Sequence, residues 1–381
     1  MIITSTMRNY TLILVSLLLF LLGISLLLTP SIQNTLSETY LYTSQTTYIN
    51  KGDSIQNLQP SLLIFNTFMN TSWQHAYLET TNMAYKLTSD QDGNTVLVFN
   101  ISSLLPGENI TFSYSFRLEK EKHASLPEIN FTSSGSLSDI SEKLREEYCI
   151  SEGTWVVDPT LESLVDTIWV SEDKTSNVLR LVTSLADWIG TNIRSISHDV
   201  PYYPSETYHS REGDCDDQAN LLIALCRILD IPAYLQVGAL KWSSSTDTYW
   251  SEHVASHLVS VTYHAWAMIY IPPWGWLPFD MTLGWNAFNP FAVIKSAKIW
   301  GLDAMPLLNI TRSDWPGEGR LQKTELVSST LYITQNDALI SENPSSFLTL
   351  LYDRRVWVAT LGLLSITTIL FTINLKKENQ V

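Results

Sequence analysis

Two uncharged apolar runs bracket this chain, and they constrain everything between them. Residues 10–29 read YTLILVSLLLFLLGISLLLT and stop at Pro30; residues 356–375 read VWVATLGLLSITTILFTINL, with Arg354 and Arg355 before them and Lys376 and Lys377 after. Each run has the roughly 20 apolar residues that a helix needs to cross a bilayer. The first is longer than the apolar region of a cleaved signal, about 7–15 residues, and no small-x-small cleavage site follows it, so it reads as an uncleaved anchor. A buried core helix is the competing reading of the second. Flanking charge barely orients the pair. The sequons at Asn70, Asn100, Asn109, Asn130 and Asn309 all fall between the runs, as they do when the middle is extracytoplasmic. The expectation is a cell-membrane glycoprotein with residues 31–353 outside and both termini in the cytoplasm.

The middle must therefore fold in water, and composition narrows what it does. Of 381 residues 45% are hydrophobic and 16% charged, which excludes a disordered chain. A net charge of -15 repels phosphate backbones and leaves no basic footprint, so no nucleic-acid partner is expected. Three cysteines exclude a disulfide-dense scaffold and a multi-cysteine zinc domain.

Residues 31–135 are rich in Thr, Ser, Tyr and Asn, with turn signals at Gly52, Gly93 and Pro106-Gly107. In residues 111–118, Phe112, Tyr114, Phe116 and Leu118 alternate with polar residues, the period of a half-buried strand, and residues 95–101 read as its partner. An immunoglobulin-like β-sandwich fits this stretch, and another all-β topology fits nearly as well. From residue 136 apolar residues recur at helical spacing: Leu137, Ile140 and Leu144; Leu161, Leu164, Val165 and Ile168; Leu181, Leu185, Trp188 and Ile189. A buried helix with Cys215 in its first turn, ending at Asp230 and Pro232, follows, then strands over 233–240, 258–270 and 274–281. Helices followed by a sheet make an α+β domain over residues 136–310. Residues 311–353 lack periodicity except at 326–334 and read as a spacer to the second membrane segment, 354–376.

Cys215 opens its helix, where the macrodipole favours thiolate, although Asp214, Asp216 and Asp217 oppose it. An imidazole partner is needed, and His264, opening a strand, is the candidate. Asp280, on the next strand, returns a carboxylate beside it if the two pair as a hairpin. Cysteine, histidine and aspartate then stand as nucleophile, base and orienting group. Tyr203, Tyr208, Trp266 and Trp276 are candidate substrate-binding residues. His253 and His257 form an H-x-x-x-H pair without a third ligand, so no metal and no cofactor are expected. Cys226 reads as a core residue, with a disulfide to Cys149 as the alternative.

The segments GDCDDQANLLIALCRILDIPAYLQVG and YHAWAMIYIPPWGWLPFDMT resemble the transglutaminase-like superfamily of cysteine acyltransferases and peptidases over roughly residues 137–300. The resemblance implies a papain-like α+β core in which Cys215, His264 and Asp280 are catalytic, with Thr282 following. Met281 departs from the proline often found there. The anchored chain with its N-terminal β region looks like the prokaryotic, often archaeal, branch more than the calcium-dependent animal crosslinkers. A protein or peptide substrate is implied. The expected reaction runs through a thioester and ends in hydrolysis. Acyl transfer to an amine and a non-catalytic, peptide-binding scaffold are the alternatives.

Overall fold

The alternation in residues 111–118 is the clearest strand signal of the chain, and the computed structural model places it in a long strand with Phe112, Tyr114, Phe116 and Leu118 all buried. The structure describes residues 38–341 except 71–73, 91, 121–128, 173, 251, 283–303, 311–322 and 325. Both terminal apolar runs lie outside the described residues. Among the described residues, no helix is long and apolar enough to cross a membrane.

From Glu38 to Lys120 the described residues form strands and one 3-10 turn (Pro60–Leu63): β1 (Glu38–Asn50), β2 (Gln56–Asn57), β3 (Ile64–Asn66), β4 (Gln74–Thr81), β5 (Tyr85–Ser89), β6 (Thr95–Phe99), β7 (Ser103–Leu104) and β8 (Asn109–Lys120). It forms two layers. A three-stranded sheet, ordered β3-β6-β5, faces β8, with the Phe65 and Phe99 rings 5.4 and 4.9 Å from Phe112. The sequence reading paired residues 95–101 with β8; instead β6 pairs with β3 and β5, while β8 pairs with β4. Both strands have buried aromatic faces, and those faces meet across the layers rather than edge to edge.

The helices follow: α1 (Glu142–Tyr148), α2 (Pro159–Ser171), α3 (Val178–Asn192), α4 (Pro204–Ser210) and α5 (Cys215–Ile228), with the short strands β9 (Arg194–Ser195) and β10 (Glu212–Gly213) before the last two. Asp158 and Asn177 cap α2 and α3 by accepting from Thr160 and Arg180 N–H, satisfying donors that a helix start leaves open. From Asp217 to Arg227 every residue of α5 is buried, the polar Asp217, Gln218, Asn220 and Arg227 included, so it is the central helix, enclosed on all sides. Its C-terminal end is pinned by the Arg227 guanidinium, which donates to Ala233 O and Ile150 O and stacks 4.1 Å over Trp155.

The last strands are β11 (Ala233–Trp250), β12 (Val254–Ile271), β13 (Gly275–Phe279), β14 (Ala304–Ile310) and β15 (Leu331–Ser341). The large sheet runs β14-β11-β12-β15-β1-β8-β4, with β13 also on β12. This differs from the sequence reading in two ways. The layer carrying β8 and β1 continues directly into the sheet that holds β11 and β12, so the β region at 31–135 shares its main sheet with the core that follows. The stretch read as a spacer supplies β15, which lies between β1 and β12, antiparallel to one and parallel to the other. Its alternation was obscured because Asp337 occupies one of the inward positions, beside Leu331, Ile333 and Leu339.

Candidate active site

The chain approaches α5 through a tight elbow. Arg211, with φ 59°, ends α4 in the left-handed region, and β10 then pairs in parallel with β9. A Cβ on Gly213 would lie 2.7 Å from Asp217 Cβ and 3.0 Å from Thr207 Cγ2, so only glycine fits. Asp214 is the cap residue and Cys215 the first residue of the helix. Asp217 has no exposed surface: its Oδ2 accepts Asp214 N–H at 3.2 Å and its Oδ1 accepts Tyr202 N–H at 2.6 Å. Burial pushes its pKa up to about 6, with the charge of Asp214 adding to that and the two N–H donors opposing it. One carboxylate thus ties the helix start to the preceding loop.

His264 lies on β12, opposite Gly238 of β11. Its Nε2 is 2.9 Å from Asp280 Oδ2, and the two side chains are 9% and 11% exposed. Asp280 follows β13, which pairs with β12 from Gly275 opposite Ile271 to Phe279 opposite Ala267 and so carries the carboxylate back alongside the histidine. Asp280 Oδ1 accepts from Thr282 N–H and from its hydroxyl, both at 2.9 Å. Burial raises the Asp280 pKa, but His264 and the Thr282 donors outweigh it and hold the carboxyl below its ordinary range. The Trp266 ring stacks near His264 at 6.3 Å and 24°.

Cys215 lies against this strand, close enough to the N–H of Ala265, the residue next to His264, for that dipole to favour thiolate, while its own S–H donates to Asp216 Oδ1 at 3.9 Å. The thiol is pushed well above its ordinary value, first by burial and then by the carboxylates of Asp216 and Asp214; Ala265 N–H opposes them, and Asp280 adds a weaker upward push. The sequence reading weighed the helix dipole against the acidic neighbours. In the structure burial and those neighbours prevail over the helix dipole and push the thiol's pKa up.

The structure therefore gathers Cys215, His264, Asp280, Thr282 and Trp266. Trp266 is 3% exposed, with its Nε1 directed to Met268 Sδ at 3.3 Å, so it supports the imidazole from within the fold. Trp276 stands elsewhere: it pairs with Tyr270, six residues or about 20 Å along β12 from His264, in a cluster with Tyr148, Tyr234 and Tyr270. Tyr208 stacks on Trp188 beneath Arg211, and Tyr203 is the cap residue of α4. His253 and His257 turn to separate partners, Leu331 O and Asp247. Cys149, Cys215 and Cys226 are all free thiols, and Cys226 lies in the core. The residue that sequence reasoning undervalued is Asp217, which it counted only as an opposing charge. Its position three residues after the cap was the available signal for a helix-start brace.

Residues 165–281 match the transglutaminase-like superfamily, an interval that begins within α2 and holds Cys215, His264 and Asp280. They form a transglutaminase-like superfamily domain. The chain is also similar to a solved candidate cysteine protease from Cytophaga hutchinsonii, at 17% identity and a TM-score of 0.49 over 82% of this chain and 93% of that one. A solved candidate protease from Parabacteroides distasonis matches at 9% identity and a TM-score of 0.24, over 72% of this chain and 68% of that one. No curated protein matches the sequence.

Proposed function

We propose that this protein is a membrane-anchored, outward-facing cysteine enzyme that cleaves peptide or isopeptide amide bonds through Cys215, His264 and Asp280. The observation that carries the reading is the 2.9 Å His264–Asp280 pair, on a strand whose next residue, Ala265, turns its N–H dipole toward the Cys215 sulfur. Because Nε2 serves Asp280, Nδ1 is the nitrogen assigned to proton exchange with the thiol.

In the first step His264 Nδ1 takes the Cys215 proton as the sulfur attacks the amide carbonyl, and N–H groups at the start of α5 face the developing oxyanion. The C–N bond breaks, the imidazolium proton goes to the leaving amine, and a thioester remains. Water then adds to the thioester with His264 as base, releasing the acid and restoring the thiol. Asp280, held ionised, orients the ring and stabilises the imidazolium. Hydrolysis is the favoured second step because an extracytoplasmic site has abundant water. A primary amine in place of water would give crosslinking by the same machinery. Both terminal apolar runs supply the anchoring.

The raised thiol favours a second reading, a peptide-binding scaffold with an idle cysteine. One experiment separates the two: the rate of iodoacetamide alkylation at Cys215 across pH, in the wild type and in His264→Ala, beside amine release from a peptide library. Catalysis predicts Cys215-dependent amine release and slower alkylation without His264. Identical alkylation in both proteins, with no amine release, would establish the scaffold.

A further inference from the structure

Strand β12 is braced unevenly. On one side β11 pairs with it along nearly its whole length, with a register shift between Lys241 and Ser245. On the other side β15 accompanies it only from Val254 to Val259, and β13 only from Ala267 to Ile271. Among the described residues, neither of these strands pairs with residues 260–266, the interval that holds His264. The strand also bends at the start of this interval, where Ser260 has φ 57°, a left-handed conformation uncommon for a residue with a Cβ.

A side-chain bridge crosses the interval from β15. The Tyr263 hydroxyl donates to Asp337 Oδ2 and lies 2.6 Å from the Tyr42 hydroxyl on β1, and Gln335 Nε2 donates to the same carboxylate oxygen. Asp337 is 1% exposed and sits on β15 opposite Ser44 of β1 and Leu258 of β12. Burial pushes its pKa up against the hydroxyl and amide donors around it. A carboxyl and two tyrosine hydroxyls in a sheet interior are costly compared with apolar residues of the same size. What the group does provide is a directional tie on Tyr263, which shares a peptide unit with His264.

We propose that Asp337, acting through Tyr263, is a positioning residue for His264, setting the twist of residues 260–266 so that the imidazole meets Asp280 and the Cys215 thiol together. The inference rests on the catalytic reading above. It assigns part of the active site's geometry to β15, a strand outside the family-matched interval. Catalytic groups must be held within about 0.5 Å and 10–20° of their productive geometry, so even a small rotation of the strand at residues 260–266 matters. A side-chain tie one residue from the histidine restricts that rotation without entering the site.

The test uses the full chain in detergent, labelled with 15N-histidine, comparing wild type, Tyr263→Phe, Asp337→Asn and His264→Ala. Tyr263→Phe keeps the ring and loses only the tie. It should shift the His264 Nε2 proton resonance and slow iodoacetamide alkylation of Cys215 on the order of tenfold, and it should also lower the unfolding midpoint because Asp337 loses a donor. Asp337→Asn still offers an oxygen to the Tyr263 hydroxyl and should retain most of the wild-type rate. A lowered unfolding midpoint in Tyr263→Phe with an unmoved His264 resonance and an unchanged rate would reduce the bridge to fold stability and overturn the proposal. If His264→Ala alkylates like the wild type, the catalytic reading fails and the positioning role fails with it. If His264 matters and Tyr263→Phe does not, only the positioning role fails.

Discussion

A thiol at the first position of a helix gains from the macrodipole, yet here two carboxylates stand beside it and burial is larger than either effect. After burial, Asp216 is the largest cause of the raised thiol. Asp216→Asn removes that negative charge, favours thiolate and should raise the iodoacetamide rate at Cys215 several-fold near neutral pH; an unchanged rate would show that burial alone sets the thiol. Asp217 offers a pH-linked test. Its folded pKa of about 6 lies above the ordinary 3.8, so the folded state holds its proton more tightly than the unfolded chain does. That contribution is complete below the unfolded value and is lost as pH rises through the folded one. Relative to Asp217→Asn, the wild type should therefore lose on the order of 3 kcal/mol between about pH 4 and pH 6.5 and then level off. Urea midpoints of both proteins across that range check it, and a constant difference would show that Asp217 does not titrate there. The sequence placed Cys215 at the opening of a strongly patterned helix, as the structure has it, but His264 at the opening of a strand, whereas it lies well inside β12 because the polar stretch before it is held as strand by pairing. The Ala265 N–H was not legible, since a backbone donor has no signature in residue type.

At the scale of elements, the strongest patterns transferred with little change. Helix α5 runs from Cys215 to Ile228 against an expectation ending at Asp230, α2 buries the residues whose spacing announced it, and α3 buries its own except Trp188, which is half-buried. Strands β11 and β12 were foreseen only where they are apolar. Beyond Leu240 the first passes through Lys241–Trp250, a polar stretch that carries no alternation and is held as a strand by its pairing with residues 254–261 of β12. Pairing partners were harder still, because two aromatic strands can meet edge to edge or face to face, and β6 and β8 meet by their faces. The elbow before α5 is where element geometry bears most directly on the site. Gly213→Ala would force a methyl to within 2.7 Å of Asp217 Cβ. Overpacking of this kind costs about 1–3 kcal/mol, and relief requires Asp217 to shift, releasing Asp214 N–H and Tyr202 N–H. The expected outcome is a lowered unfolding midpoint together with altered alkylation at Cys215. A lowered midpoint with wild-type alkylation would mean that the elbow stabilises the fold without setting the nucleophile.

At the scale of the molecule, the family-matched interval stops at residue 281, but the sheet that positions His264 does not. Thr39–Ser341 cluster as one compact unit, and β15 is interior to its large sheet, matched with β1 over eleven residue pairs and with β12 over six. An interior strand satisfies donors and acceptors on two neighbours at once, so its removal opens β1 and β12 together and uncovers Tyr42 and Tyr263. Backbone groups left in this state are costly when buried and adhesive when exposed. A protein comprising residues 38–310, the boundary that periodicity alone suggests, should therefore aggregate or unfold, whereas residues 38–341 should give a cooperative thermal transition and a protease-resistant body. Soluble yield, circular dichroism and limited proteolysis of the two would decide the matter. A folded 38–310 protein with a His264-dependent thiol would show that the catalytic core closes without β15, and would remove the structural basis for assigning any part of the site's geometry to the C-terminal strand.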